Sequence, residues 1–294
     1  MFSQMSIGFA CRRIKYVSLL NKNIWKSLIR SHSNLTLKTK ENGVKTIILN
    51  NPKKRNALSL AMLNDLKSDL LEDIDDKDIR CILLKGSGPV FSAGHDLNEL
   101  RANTGKDYHE EIFRRCTEVM TAIRTVPVPV IAQIQGLATA AGCQLAATCD
   151  IVIASENSKF STPGASVGLF CSTPGIAVAR AVPRKMSSYM LFTGLAINAS
   201  DALKCGLVSK VVPDDKLDEE TKEVILAILS KSRSVIALGK KFYYEQLEKD
   251  IQSAYREGEK VMVENLELKD AQEGLSAFIE KRKPVWINSP EKFK

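Results

Sequence analysis

Twice in this chain a strand-like run ends in small residues and opens directly into a helix, and that pattern restricts the fold to the α/β class. In "FSAGHDL" (91–97), Ala93 and Gly94 let the backbone turn tightly and free the N–H of His95 where the next helix begins. In "GLATAAGCQ" (136–144), an Ala-rich helix is expected to follow the glycine turn, with the N–H of Ala141 near its start. Helix N-termini carry unpaired N–H groups and a partial positive charge. Two such groups converging on one point make a site for a developing negative oxygen. The same small residues would also serve ordinary tight packing of a strand on a helix.

The rest of the first half supports the α/β reading. "GVKTIILN" (43–50), "IRCILLKG" (79–86), "VPVPVIAQIQG" (126–136) and "IVIAS" (151–155) read as strands, the prolines of the third confined to its entry. "SLAMLNDLKSDLLEDI" (59–74) places Leu60, Leu63, Leu66 and Leu70 at helical spacing with Ser59 as N-cap. A helix follows from about 107 to 124. After residue 173 the pattern turns mostly helical, with amphipathic helices expected at about 217–230, 235–249 and 251–281. No Pro/Ser-rich linker marks two independent domains. The expected organisation is a leader over 1–33, an α/β core over 34–235 and a helical C-terminal region over 236–294.

The net charge of +8 suggests a polyanion partner only until its distribution is read. Residues 1–40 hold eight lysines and arginines and no acid, leaving 34 basic against 34 acidic residues from 41 to 294. A nucleic-acid footprint would put a basic face on the folded part, so no nucleic-acid partner is expected. The Arg/Lys-rich, acid-free leader has the character of a mitochondrial transit peptide, which places the protein in the mitochondrial matrix. No run of 18 apolar residues is present, so no membrane span is expected. Six cysteines outside the leader show no CxxC pairing and read as reduced thiols. His95 and His109 lack ligand-spaced neighbours, so neither a metal nor a resident cofactor is expected.

Five segments together resemble the crotonase superfamily, the enoyl-CoA hydratases and isomerases. They are "NNPKKRNALS", "GSGPVFSAGHDLNEL", "PVIAQIQGLATAAGCQLAATCDIVIASENSKFSTPGASVGL", "NASDALKCGLVSKVV" and "AFIEKRKPVW", in the family's order between about residues 37 and 287. The resemblance implies a spiral of ββα turns with a helical C-terminal region that builds trimers or pairs of trimers. It implies an acyl-CoA thioester as ligand, its carbonyl oxygen held by the backbone N–H groups of His95 and Ala141. The adenine pocket falls on Arg55, Ala57 and Leu58 with the carbonyl of Ala93, and acyl contacts run through His95, Asp96, Leu97 and Asn98. Lys281 matches a lysine that reaches the CoA phosphates, in the family often from a neighbouring subunit. Without the family, Lys281 is a cation near a helix C-terminus.

The chain departs from the family where hydration chemistry resides. Of the two glutamates that position and activate water, one is Gln144 and the other Gly164, and a third position used by some isomerases is Ser166. Glutamine cannot take a proton at neutral pH and glycine offers no side chain. The expectation is an acyl-CoA-binding protein of fatty acid metabolism without ordinary hydratase activity. One alternative is an enzyme whose enolate needs no protein base, such as a decarboxylase of malonyl-type esters, with His95 orienting or protonating. Another is hydration through a carboxylate elsewhere, Asp96 or Glu99. A third is a non-catalytic oligomeric scaffold. Cys143 and Cys171 read as buried small hydrophobes rather than nucleophiles. If the rest of the site is preserved, Gln144→Glu with Gly164→Glu should restore hydration.

Overall fold

A computed structural model describes residues 35–293; the leader lies outside the described residues. The chain enters through a hairpin, β1 (Thr36–Glu41) and β2 (Val44–Leu49), closed by Asn42 and Gly43 at φ 51° and 85°. Two left-handed residues in succession give the turn whose twist suits a two-residue hairpin. β1 is polar and mostly exposed and was not foreseen as a strand. α1 (Leu60–Leu71) follows; the hydroxyl of Ser59 accepts from the N–H of Met62 at 3.2 Å, the expected cap.

Three turns of strand, strand and helix then follow. β3 (Cys81–Gly86), β4 (Val90–Ser92) and α2 (Lys106–Thr125) make the first; β5 (Val130–Ile134), β6 (Leu137–Thr139) and α3 (Ala141–Thr148) the second. β7 (Ile151–Ser155), β8 (Lys159–Ser161) and α4 (Ser172–Ala181) make the third, with a short 3₁₀ turn at Pro163–Val167. Each first strand joins a six-stranded sheet and each second strand a four-stranded one, the three strands of these turns running parallel to one another within each sheet. The chain therefore spirals. All five residues of β5 are buried, because elements pack on both faces, and a strand covered on both sides is apolar throughout. The helix begins at Ala141, as expected, and the segment before it, 137–139, is an additional short strand.

The second half is helical: α5 (Arg184–Thr193), β9 (Ile197–Asn198), α6 (Ala199–Lys204), β10 (Lys210–Val212), then α7 (Leu217–Leu229), α8 (Arg233–Gln246), α9 (Ile251–Glu267) and α10 (Lys269–Ile279). The sequence pattern predicts one helix over 251–281, but it breaks at Leu268. There the C-terminal segment pairs alongside: Lys269 N–H donates to Glu291 O at 2.9 Å and Phe293 N–H to Glu267 O at 2.6 Å. Asp270, only 1% exposed, accepts from the hydroxyls of Ser232 and Ser234 and from the N–H groups of Ile287 and Asn288, at 2.6 to 3.2 Å.

Removing that acceptor strips four donors of the partner they share. Asp270→Ala should cost about 3 kcal/mol or more of stability. Hydrogen exchange should show the loss concentrated in residues 285–293.

Candidate functional site

Because β4, β6 and β8 are parallel neighbours, their C-terminal ends emerge on one edge, and the residues that follow are brought together. Gly94 after β4 has φ +83°, and a Cβ built there would lie 2.9 Å from Ala140 Cβ, 3.0 Å from Ala141 N and 3.0 Å from Thr139 O. Gly142 presses back the same way, its Cβ position 2.4 Å from Ser92 O. The end of β8 closes the third side, where Ala140 N–H donates to Ser161 O at 2.9 Å. The two loops thus interlock backbone to backbone beside the N–H of Ala141. Among the described hydrogen bonds, neither the N–H of His95 nor that of Ala141 has an acceptor. Ala140 holds φ 49° and ψ −121°, a strained conformation for a residue with a Cβ.

A second loop is tied to the first. Leu58 N–H donates to Gly94 O at 2.7 Å, Ala93 N–H to Arg55 O at 3.0 Å, and the Ser92 hydroxyl to Asn56 O at 2.8 Å. Arg55, Ala57 and Leu58 therefore lie beside Ala93 and His95. The organiser is Asn56, which sequence reasoning passed over. It is fully buried at φ 51°; its Oδ1 accepts from Asn51 N–H, and its Nδ2 donates to Ser87 O and Val90 O, at 2.8 to 2.9 Å. Its signal was an asparagine in a loop, the residue type that tolerates left-handed backbone. Leu97 and Asn98 are exposed beyond the bend. Lys281 sits on an exposed turn after α10, its side chain without a polar partner among the described residues. Within one chain it makes no hydrogen bond to these loops.

The side chains around the bend are structurally committed. His95 Nδ1 lies 3.1 Å from Leu58 O, so Nδ1 carries the proton and donates. Its ring meets Phe113 edge-on at 5.4 Å, and Nε2 is buried without a partner. Burial pushes the imidazole pKa down, opposed by the Leu58 carbonyl, so the ring is neutral and Nε2 accepts only. It cannot serve as a proton donor in that state. Asp96 accepts from Lys54 Nζ at 2.8 Å and from Asn98 N–H at 3.0 Å; the lysine hydrogen bond holds its pKa low. Glu99 caps α1, accepting from Leu60 N–H at 2.8 Å, and takes Tyr108 OH at 3.2 Å. Both carboxylates are occupied in holding the loops.

Gln144 is buried on α3, its Oε1 facing Cys116 Sγ at 4.0 Å. At Gly164 the missing side chain is a consequence of packing. A Cβ there would lie 2.0 Å from Leu169 O and 2.7 Å from Cys171 Sγ, while Gly164 N–H donates to that sulfur at 3.2 Å. A glutamate cannot be returned to position 164 without refolding the 163–171 loop, so Gly164→Glu would not test the rest of the site. Ser166 is exposed on the same turn. Burial raises both thiols, Cys143 to about 12, so neither is a thiolate nucleophile. No His/Cys/Asp/Glu cluster suited to a metal is found among the described residues, and no described helix is long and apolar enough to cross a membrane.

The family model described as enoyl-CoA hydratase/isomerase matches residues 39–289. The chain is 56% identical over 258 residues to the mitochondrial enoyl-CoA hydratase domain-containing protein 3 of Xenopus laevis, covering 88% of each. The human protein of that description has a crystal structure similar at TM-score 0.85 and 56% identity, over 86% of this chain and 100% of that one. An enoyl-CoA hydratase of Mycobacterium smegmatis superposes at TM-score 0.83 with 46% identity, over 86% and 98%.

Two outcomes test the geometry. Gly94→Ala should cost about 1–3 kcal/mol through its left-handed backbone and the crowding at Ala140, whereas Ala140→Gly should gain about 1 kcal/mol, both read by urea denaturation. The second outcome concerns pH. Because the folded state disfavours protonating His95, only the unfolded chain takes up that proton readily as pH falls through the ordinary value of 6.5. Stability should therefore decline below about pH 6.5. The His95→Asn variant, whose amide can keep the Leu58 contact, should lose that part of the slope.

Proposed function

This chain belongs to the enoyl-CoA hydratase/isomerase family and is mitochondrial, and on that premise we propose that it binds acyl-CoA thioesters in lipid metabolism without ordinary hydration activity. The observation that carries the reading is the close approach of Gly94 to Ala141, which leaves two unpaired N–H groups on adjoining loops. A thioester oxygen between the N–H groups of His95 and Ala141 would gain the stabilisation that such a pair provides, about 10²–10³ in rate per donor. The adenine would rest on Arg55, Ala57 and Leu58 with the Ala93 carbonyl, and the acyl portion would pass His95, Asp96, Leu97 and Asn98. Proton transfer is what the site lacks. Gln144 cannot ionise, Gly164 has no side chain, and Asp96 and Glu99 are spent on the loops; general acid–base groups are worth about 10²–10⁴ each.

The assembly proposed is a homotrimer or homohexamer built on residues 236–294. Its support is the apolar surface left in water on α9 and α10: Tyr255 is 70%, Ile279 77% and Phe278 85% exposed. Lys281, two residues beyond Ile279, would then reach a neighbour's CoA phosphates. A second reading follows from the same vacancy of acids. A malonyl-type ester generates its enolate by losing CO₂ and needs no protein base, and the carboxylates at the bend, Asp96 and Glu99, are already engaged by Lys54 and by the start of α1. Neutral His95 cannot quench that enolate through Nε2, so the proton would come from water.

The deciding experiment titrates the purified protein with enoyl-, malonyl- and methylmalonyl-CoA and scores binding apart from turnover. Binding without loss of the enoyl absorbance is expected. Hydration at an enzymatic rate would overturn the proposal, CO₂ release would establish the second reading, and the absence of any binding would leave an oligomeric scaffold.

A further inference from the structure

A groove of about 1040 Å³ opens between α2, α4 and α8, and its lining includes hydrogen-bond donors without acceptors. The first is the amide of Gln144, which is 6% exposed and lines the groove. Its Oε1 lies opposite Cys116 Sγ at 4.0 Å. Burial keeps Cys116 a thiol, its pKa pushed up to about 12, so the sulfur donates and the amide oxygen accepts. The Nε2 of Gln144 is left without a partner among the described residues and is not sealed from solvent. The second is the start of α4, where Thr173 lines the same groove. Ser172 N–H donates to Phe170 O and Gly175 N–H to Cys171 O, while Pro174 has no N–H. Among the described hydrogen bonds, the Thr173 N–H and hydroxyl have no partner.

The charges of the groove favour an anion. Arg124, Arg180 and Lys240 line it against Asp150 and Glu248, three cations to two carboxylates. Both carboxylates are engaged, Asp150 by Lys240 at 2.6 Å and Glu248 by Arg124 at 3.4 Å. Arg180 has no ion pair among the described residues and donates only to Ile176 O of its own helix, at 3.4 Å. It stands seven residues beyond Thr173, two turns along the same face of α4. An amide donor, an unpaired N–H at a helix start and an unpaired guanidinium are groups that hold carboxylates. We infer that the part of the groove lined by Gln144 and Thr173 binds a carboxylate, either that of a small free acid or that at the far end of a dicarboxylic acyl-CoA. The inference goes beyond the thioester reading, since it needs no thioester at Ala141. It also gives Gln144 a role of its own. A glutamate there would repel the ligand, whereas the amide donates to it, so the residue that cannot activate water is the one the anion requires.

The test compares glutaryl-CoA with pentanoyl-CoA, esters of equal length that differ by carboxylate for methyl, and adds free glutarate. Each is titrated calorimetrically into the wild-type protein, Gln144→Leu, Gln144→Glu and Thr173→Val, after a thermal melt of every variant. Glutaryl-CoA should bind about tenfold tighter than pentanoyl-CoA, as expected for a hydrogen bond to a charged group. Gln144→Leu should erase that ratio, Gln144→Glu should reverse it, and Thr173→Val should reduce it about threefold. If Gln144→Leu does not fold, the isosteric Gln144→Glu decides. Equal affinities in the wild type, or a ratio that persists in the Gln144 variants, would overturn the inference and leave the acyl-CoA reading standing. Glutarate bound by the wild type and lost in the Gln144 variants, with neither ester bound, would support the site with a small acid as its ligand and overturn the acyl-CoA reading. Binding of none of the three would overturn both.

Discussion

The contact on which the site depends is the approach of Gly94 to Ala140 and Ala141. Backbone meets backbone there at distances no side chain could share, with Gly142 against Ser92 repeating the arrangement one step away. This is possible because β4, β6 and β8 run parallel and end on one edge, so the first residues after each strand are neighbours in space although 46 residues separate His95 from Ala141 in the chain. Close approach also explains the strain at Ala140. The residue must reverse the chain between β6 and α3 while leaving the N–H of Ala141 outward, and it does so in a conformation that glycine would adopt more easily. Strain of this kind persists only where the surroundings over-determine it. Here three loops do.

The same packing bears on the chemistry. A lost catalytic side chain can be a point change in an otherwise intact cavity, or the cavity can have been rebuilt. On the proposed reading, the change at position 144 is isosteric, carboxamide for carboxylate, on a regular helix. At position 164 it is of the second kind: Leu169 O and the thiol of Cys171 occupy the volume where a side chain would start. The carboxylates that remain nearby have been drawn into scaffolding, Asp96 to Lys54 and Glu99 to the start of α1. What the bend presents is backbone N–H without an acceptor among the described hydrogen bonds, with every adjacent side chain either neutral or paired.

Much of this was legible in the sequence, and the failures have physical causes. The β-branched runs ending in small residues identified the buried strands, and Ser59 identified its helix start. β1 was missed because "TLKTKE" carries no apolar face to read, although Asn42-Gly43 is a strong hairpin signal. The strand Leu137–Thr139 carries no signal of its own, because Leu, Ala and Thr in so short a run show no decisive period; pairing with β4 and β8 decides it. The break at Leu268 has no glycine or proline to announce it and is imposed by the C-terminal segment, held by Asp270. Asn56 was invisible for a related reason. Its role lies in four partners spread from Asn51 to Ser92, and local composition does not encode them.

The placement of α8 rests on one buried ion pair. On α8, Lys240 and Tyr244 stand one turn apart and both reach Asp150, at 2.6 Å each, while Lys240 also donates to Ile123 O and Val128 O. Burial lowers the lysine pKa even with the carboxylate beside it, so the ammonium depends on these acceptors to remain charged. Breaking such a pair from one side typically costs about 3–5 kcal/mol. The helix is therefore locked in rotation, and the adjoining Gly239 and Tyr243 are left exposed. The carboxylate at the α3–β7 junction thus fixes which face of α8 is turned to solvent.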